Sequence, residues 1–232
     1  MVERLNGIEK VRGSTPLIST TSDEFDARCA LVFDLLPDEA AFEAALIRLP
    51  SWRRRKVESL RFAADRRRSV AVWLLLRRML LERGFEADSL DVTENESGKP
   101  SFVDLEPLVH FSISHSGERV MAVVSDGPVG CDVERIEPYS EEVAAECLSP
   151  EELSFVRSRP SGSSRDAAFC RLWTRKESFL KMQGKDFSSF RSFSVLSSEV
   201  SCSLRDFDFG DGYFGCVCRE NQKLPNSSAR GD

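Results

Sequence analysis

Apolar positions recur along this chain with two different periods, and the periods divide it into elements. The run Ala30–Leu36 (ALVFDLL) is short and apolar, as expected of a strand. Pro37–Leu49 (PDEAAFEAALIRL) has helical spacing, with Pro37 suited to its first turn. Ser51–Phe62 (SWRRRKVESLRF) predicts a second, short helix. In Asp65–Gly84 (DRRRSVAVWLLLRRMLLERG), Val72, Trp73, Leu76, Met79 and Leu80 recur at helical intervals. This predicts a long helix capped by Asp65 and ended by Gly84. Ser97–Pro100 (SGKP) is a turn. Leu108–Ser114 (LVHFSIS) switches to a period of two, with Val109, Phe111 and Ile113 on one face and His110, Ser112 and Ser114 on the other. The turns SGE and Gly127-Pro128 then separate RVMAVVSD from VGCDVERI, predicting a meander of three strands.

Two helices follow at SEEVAAECL and SPEELSFV, the second opened by a capping box of Ser149 and Glu152. After the loop SGSS, the stretch DAAFCRLWTRKESFLKMQG predicts a helix ended by Gly184. Phe169, Leu172, Trp173, Lys176 and Leu180 form its buried stripe. FSVLSS, SCSLRDFDF and YFGCVCRE read as antiparallel strands. Residues 1–25 and 221–232 are expected to be flexible. Helices thus precede a sheet-rich stretch twice, giving a mixed α/β (α+β) chain with a first half over 26–126 and a second over 127–220.

The chain has 232 residues, of which 41% are hydrophobic, so composition allows a packed core. No apolar run approaches the ~20 residues that span a bilayer, and the N-terminus lacks the apolar centre of a signal peptide. A cytoplasmic protein without a membrane partner is expected. Seven cysteines without a CxxC pair fit neither a disulfide framework nor zinc-ligand spacing. They read as buried free thiols. Net charge is −6, yet from Arg53 to Arg83 eleven basic residues stand against three acidic ones, a balance of +8. Either an anionic partner is held there, or arginines line a solvated helix face.

Several polar groups could carry chemistry. Asp132 and Glu134, two apart on a strand, leave the same face. They are either a solvent-facing pair or two oxygen donors for a hard cation such as Mg²⁺. Glu177 and Lys181, one helical turn apart, are either a surface ion pair or groups at the border of a cleft. Lys99 lies on a turn, and His115 is one of only two histidines in the chain.

The order GKP, FSISHSG, VGCDVE, LWTRKESFLKMQGK resembles the 4′-phosphopantetheinyl transferases of the type that activates surfactin synthetase. The resemblance covers roughly residues 30–218 and is densest from Ser97 to Lys185. It implies two similar α/β halves in a pseudo-dimeric fold, with coenzyme A between them, and a monomer. It implies transfer of the phosphopantetheine arm of coenzyme A to a serine of an apo acyl or peptidyl carrier protein. The metal ligands would be Asp132, Glu134 and Glu177, holding Mg²⁺ with Mn²⁺ as an alternative. Glu177 and Lys181 would be catalytic. Coenzyme A would be bound by Lys99, Ser114 and His115, with Arg55, Lys56, Arg68 and Ser69 supplied by the basic segment. A coenzyme A- or carrier-binding module without catalysis is the alternative from another class. A nucleic-acid binder lacks a recognisable reading motif, and no nucleic acid is expected as a partner.

Overall fold

The computed structural model describes residues 25–197, apart from 104, 106 and 107, and residues 202–221, together with the backbone of three strands before residue 25. Those three are β1 (Val2–Leu5), β2 (Ile8–Val11) and β3 (Leu17–Thr21). Residues 222–232, expected to form a flexible tail, lie outside the described residues. The N-terminal stretch expected to be flexible contains these three strands. β1 pairs antiparallel with β2, β2 runs parallel to β10 (Cys202–Asp208), and β3 pairs antiparallel with β4 (Phe25–Leu31).

β4 occupies Phe25–Leu31, and the expected strand over 30–36 is instead its last residues followed by a short helix, α1 (Val32–Leu35). A short apolar run fits either structure by periodicity alone. α2 (Glu39–Arg48) starts two residues after Pro37, because the Asp38 carboxylate accepts from the Ala41 amide at 2.7 Å and caps it. α3 (Ser51–Ser59) and α4 (Ala63–Leu81) follow. Asp65 does not cap α4; it sits inside the first turn and pairs with Arg68. Gly84, at φ 84°, ends the helix region as expected. A small hairpin, β5 (Val92–Glu94) and β6 (Pro100–Phe102), carries the SGKP turn.

β7 (His110–Ser116) and β8 (Arg119–Ser125) are antiparallel neighbours, but β9 (Val129–Arg135) does not complete a meander with them. It pairs with β11 (Tyr213–Glu220) in a second sheet. The sheets run β3-β4-β8-β7 and β1-β2-β10-β11-β9, so β7 and β9 are the facing edges of a seam. Alternate serines of β7 join it: the Cys131 amide donates to Ser112 Oγ at 3.1 Å, and the Arg135 amide donates to Ser116 Oγ at 3.2 Å. Those side chains satisfy backbone donors that a third strand pairing would have used.

β8 explains the layering. Val120, Ala122 and Val124 pack with α4, whereas Met121 and Val123 pack against β9, β10 and β11 of the other sheet. Both faces of β8 are buried, so its sequence is almost continuously apolar. On the far side of the second sheet lies α7 (Ser163–Gln183), ended by Gly184 in the left-handed conformation. α5 (Glu141–Cys147) and α6 (Pro150–Arg157) precede it, and the Ser149–Glu152 capping box is present. The stretch FSVLSS is not a strand over its described residues. Lys176 donates to the Phe193 carbonyl at 2.7 Å, and the Val195 amide donates to Glu152 at 2.7 Å. A fully buried Lys176–Glu152 ion pair, 2.8 Å apart, thus takes backbone groups that a ladder would need.

Candidate active site

β9 places its side chains by simple alternation. Val129, Cys131 and Val133 enter the core between the sheets, leaving Gly130, Asp132 and Glu134 on the side of α7. A Cβ on Gly130 would lie 2.0 Å from the Ser178 carbonyl oxygen and 2.4 Å from the Met182 nitrogen. Glycine here lets helix and strand touch, and the contact brings Lys181 to Asp132. Lys181 Nζ is 2.6 Å from Asp132 Oδ1 and 3.8 Å from Glu177 Oε2. Ser114 donates to the same Asp132 oxygen at 2.7 Å, and Ser116 donates to Glu134 at 2.6 Å.

The charges in this group are unbalanced. Burial first, then repulsion from Asp132, pushes the Glu134 carboxyl up to about 7. Burial also pushes Glu177 up to about 8, with Lys181 partly opposing and the other two carboxylates adding to the rise. Burial works against the Lys181 ammonium, but Asp132 and Glu177 outweigh it and raise its pKa. The second Asp132 oxygen is buried with no hydrogen-bond partner. Three carboxylates, one with an unpartnered oxygen and two held toward the protonated form, suit a hard cation better than a single lysine. Among the described residues no three carboxylates, histidines or thiols close into a ready-made metal cage. Oxygen donors of this kind suit a hard divalent cation that completes its shell with further oxygen ligands.

These groups line a cleft of about 500 Å³ that also contains Arg53, Lys56, Ser69, Lys99 and His115. The cleft straddles β7. Ser114 points toward β9, whereas His115, one residue on, shares the opposite face with Phe111 and Ile113. Partial burial and the nearby Arg68 guanidinium lower the pKa of His115. Lys99 lines the cleft, but its ammonium donates to the carbonyls of Val129 at 3.1 Å and Met182 at 3.2 Å. It ties the hairpin to β9 and to the end of α7.

The structure brings together nine of the expected site residues: Lys56, Ser69, Lys99, Ser114, His115, Asp132, Glu134, Glu177 and Lys181. Arg55 is exposed on α3 and is not part of the lining. Arg68 lies just behind, donating to the Gly117 carbonyl at 3.2 Å and pairing with Asp65. Arg53 is the residue that sequence reasoning missed. It is 4% exposed, donates to the Ser69 carbonyl and hydroxyl at 2.9 and 3.0 Å, and leaves its Nε without a partner. Burial pushes its pKa down to about 10. Its position four residues before buried Val57, on the inner face of α3, was the available signal. Much of the remaining basic segment is neutralised within the chain, through Arg67–Glu39, Arg77–Asp88 and Arg78–Glu82.

Comparison with known proteins gives the same assignment for both halves. The model of the 4′-phosphopantetheinyl transferase superfamily matches residues 128–227, and that of the 4′-phosphopantetheinyl transferase N-terminal region matches residues 35–126. The chain is 32% identical to 4′-phosphopantetheinyl transferase Sfp of Bacillus subtilis (strain 168), over 65% of this chain and 73% of that one. It is 30% identical to the transferase ffp of Bacillus subtilis over 75% and 83%. With psf-1 of Bacillus pumilus it shares 35% identity over 66% of each. Two joined α/β halves, a seam cleft with three carboxylates and a lysine, and these similarities lead to one conclusion: the chain belongs to the 4′-phosphopantetheinyl transferase superfamily, in its Sfp-like branch.

Proposed function

We propose that this enzyme transfers the 4′-phosphopantetheine arm of coenzyme A to a serine hydroxyl of an apo acyl or peptidyl carrier protein, releasing adenosine 3′,5′-bisphosphate. The observation that carries the reading is the buried Asp132 carboxylate, bridged by Ser114 and Lys181 on one oxygen and unpartnered on the other, beside Glu134 and Glu177. Mg²⁺, or Mn²⁺ in its place, held by these three carboxylates and by the pyrophosphate of coenzyme A, would supply charge neutralisation across the bond that breaks. Glu177 accepts the proton of the carrier serine, directly or through water. Lys181 stabilises the growing charge on the leaving phosphate. The phosphoryl displacement needs positioning and charge compensation rather than a covalent intermediate.

At the basic side, Arg53, Lys56, Ser69 and His115 hold the 3′-phosphate of coenzyme A. Arg53 is already desolvated and has no carboxylate partner among the described residues, so a phosphate would complete its hydrogen bonding. Arg68 supports this group from behind, and Lys99 positions the hairpin rather than gripping phosphate. Residues 26–126 and 127–220 form the two halves, each receiving one or two of the N-terminal strands. Both walls of the cleft come from one chain, which supports a monomer. Internal pairing across the basic segment favours this reading over a nucleic-acid surface. No helix among the described residues is long and apolar enough to cross a membrane.

The test is a panel of apo acyl, polyketide and peptidyl carriers incubated with coenzyme A and Mg²⁺, scored by mass. At least one carrier should gain one phosphopantetheine arm. A protein that binds coenzyme A yet modifies no carrier would be a binding module instead.

A further inference from the structure

A groove on the first half shares no lining residue with the cleft. Ala41, Ala44, Ala45 and Arg48 recur at helical intervals along one face of α2. Opposite them stand Trp73, Leu74 and Arg77 of α4. Three alanines leave the space between the two helices unfilled, and the result is a groove of about 220 Å³. Most of its wall is apolar, with two cations among the lining residues. Arg77 pairs with Asp88 at 2.7 Å. Arg48 is exposed and has no ion-pair partner among the described residues. Trp73 is only 1% exposed, yet its indole N–H is buried without an acceptor. Trp52 meets it edge to face at 5.3 Å, and the N–H of that ring is unpartnered too. An N–H turned onto a neighbouring ring is a weak substitute for an oxygen acceptor.

The chemistry of the wall selects a ligand. The alanines and leucines accept an apolar body. A guanidinium without a carboxylate partner accepts a carboxylate through two parallel N–H donors. A buried indole donor left without an acceptor is costly, so a ligand that brings oxygen is favoured over a pure hydrocarbon. We propose that this groove is a second binding site, which takes a small carboxylic acid with an apolar body. Such an acid presents oxygen acceptors to the Arg48 guanidinium and the Trp73 indole and lays its body over the alanines. A neutral alcohol forgoes the charge, and a bare small anion forgoes the apolar wall. The proposal does not rest on the transferase reading.

The experiment follows the indole N–H signals of the full, isotope-labelled chain by NMR. The Trp73 signal is assigned by its loss in Trp73→Phe, or by elimination from Trp52→Phe and Trp173→Phe. Hexanoate, hexanol and acetate are the probes. Hexanoate should move the Trp73 signal along a saturable curve. Hexanol and acetate should each bind about tenfold more weakly or worse, the scale of one lost charged hydrogen bond or an equal loss of apolar contact. Arg48→Gln should weaken hexanoate by about tenfold for the first of these reasons. Ala44→Leu fills the groove from an exposed position, so it should abolish the shift and leave thermal stability and carrier modification at wild-type levels. A Trp73 signal unmoved by hexanoate overturns the proposal. So does equal affinity for hexanol, which would make the groove an unselective apolar slot. A shift that persists in both Arg48→Gln and Ala44→Leu places the acid elsewhere and overturns it as well.

Discussion

Lys181 meets two demands at once. Its ammonium compensates Asp132, whose side chain is 1% exposed. In the proposed transfer it would face a phosphate whose negative charge grows as the bond breaks. An interaction that strengthens in the transition state acts on turnover more than on substrate affinity. Lys181→Ala should lower kcat by about 100-fold or more, with a much smaller change in the Michaelis constant for coenzyme A. The same substitution strands a buried carboxylate, so thermal stability without Mg²⁺ should fall and saturating Mg²⁺ should recover part of it. A wild-type kcat would end the catalytic assignment. Arg53 and His115 lead to a second residue-scale expectation. Dephospho-coenzyme A, which lacks the 3′-phosphate, should bind more weakly by about 1.5–3 kcal/mol, the scale of an unmade hydrogen bond to a charged group. Equal affinity for the two compounds, measured by calorimetry, would assign the basic wall to another ligand.

At the scale of elements, the site depends on how closely α7 lies against β9. Gly130 fixes that distance, because the added methyl of alanine would meet backbone rather than a yielding side chain. Gly130→Ala should cost about 1–3 kcal/mol of stability through overpacking. It should also lower kcat, because Glu177 and Lys181 move with the helix away from Asp132. Chemical denaturation and steady-state kinetics on the one variant check both. Full activity with full stability would show that the contact at Gly130 does not set the site. The middle of α7 is anchored differently: Asp206 on β10 accepts from Arg171 at 2.6 Å and from Arg175 at 2.7 Å. Lys176, although adjacent to Glu177 in sequence, points into the interior toward Glu152 and holds α6 to α7. Consecutive residues of one motif thus serve the site and the core, because their side chains leave the helix about 100° apart.

At the scale of the whole molecule, two carboxyls of the site are held toward the protonated form. Glu134 and Glu177 hold their carboxyls at about 7 and about 8, above the ordinary carboxylate value of 4.5. Folded-state pKa values above the unfolded ones give stability that is complete below about pH 4.5 and is lost as pH rises through 7 to 8. A bound cation reverses the preference by favouring the ionised form. The rise in melting temperature caused by Mg²⁺ should therefore grow from pH 6 to pH 8 and level off above that. Thermal scans with and without Mg²⁺ across that range test it. A pH-independent rise would place the cation away from these two carboxylates. Glu177→Gln should reduce the pH dependence, since one of the two titrating groups is gone.

The amino-acid sequence determined what local chemistry can decide. Helical periodicity located α2, α4, α6 and α7, the Ser149–Glu152 box and Gly184 marked the start of α6 and the end of α7, and the order of SHSG, DVE and KESFLK named the family and most of the cleft. Period-two spacing put Asp132 and Glu134 on one face before any partner was known. Only the tertiary structure decided where edges and faces meet. It sent β9 to β11 instead of β8, because β4 already occupies the edge of β8 away from β7. It made ALVFDLL the junction of a strand and a helix, and it drew FSVLSS into the Lys176–Glu152 pair. It seated Arg53 in the cleft, left Arg55 in solvent and occupied the Lys99 ammonium with two carbonyls. Each of these outcomes rests on contacts between residues distant in sequence, whose energies exceed the small local preferences that a linear pattern expresses.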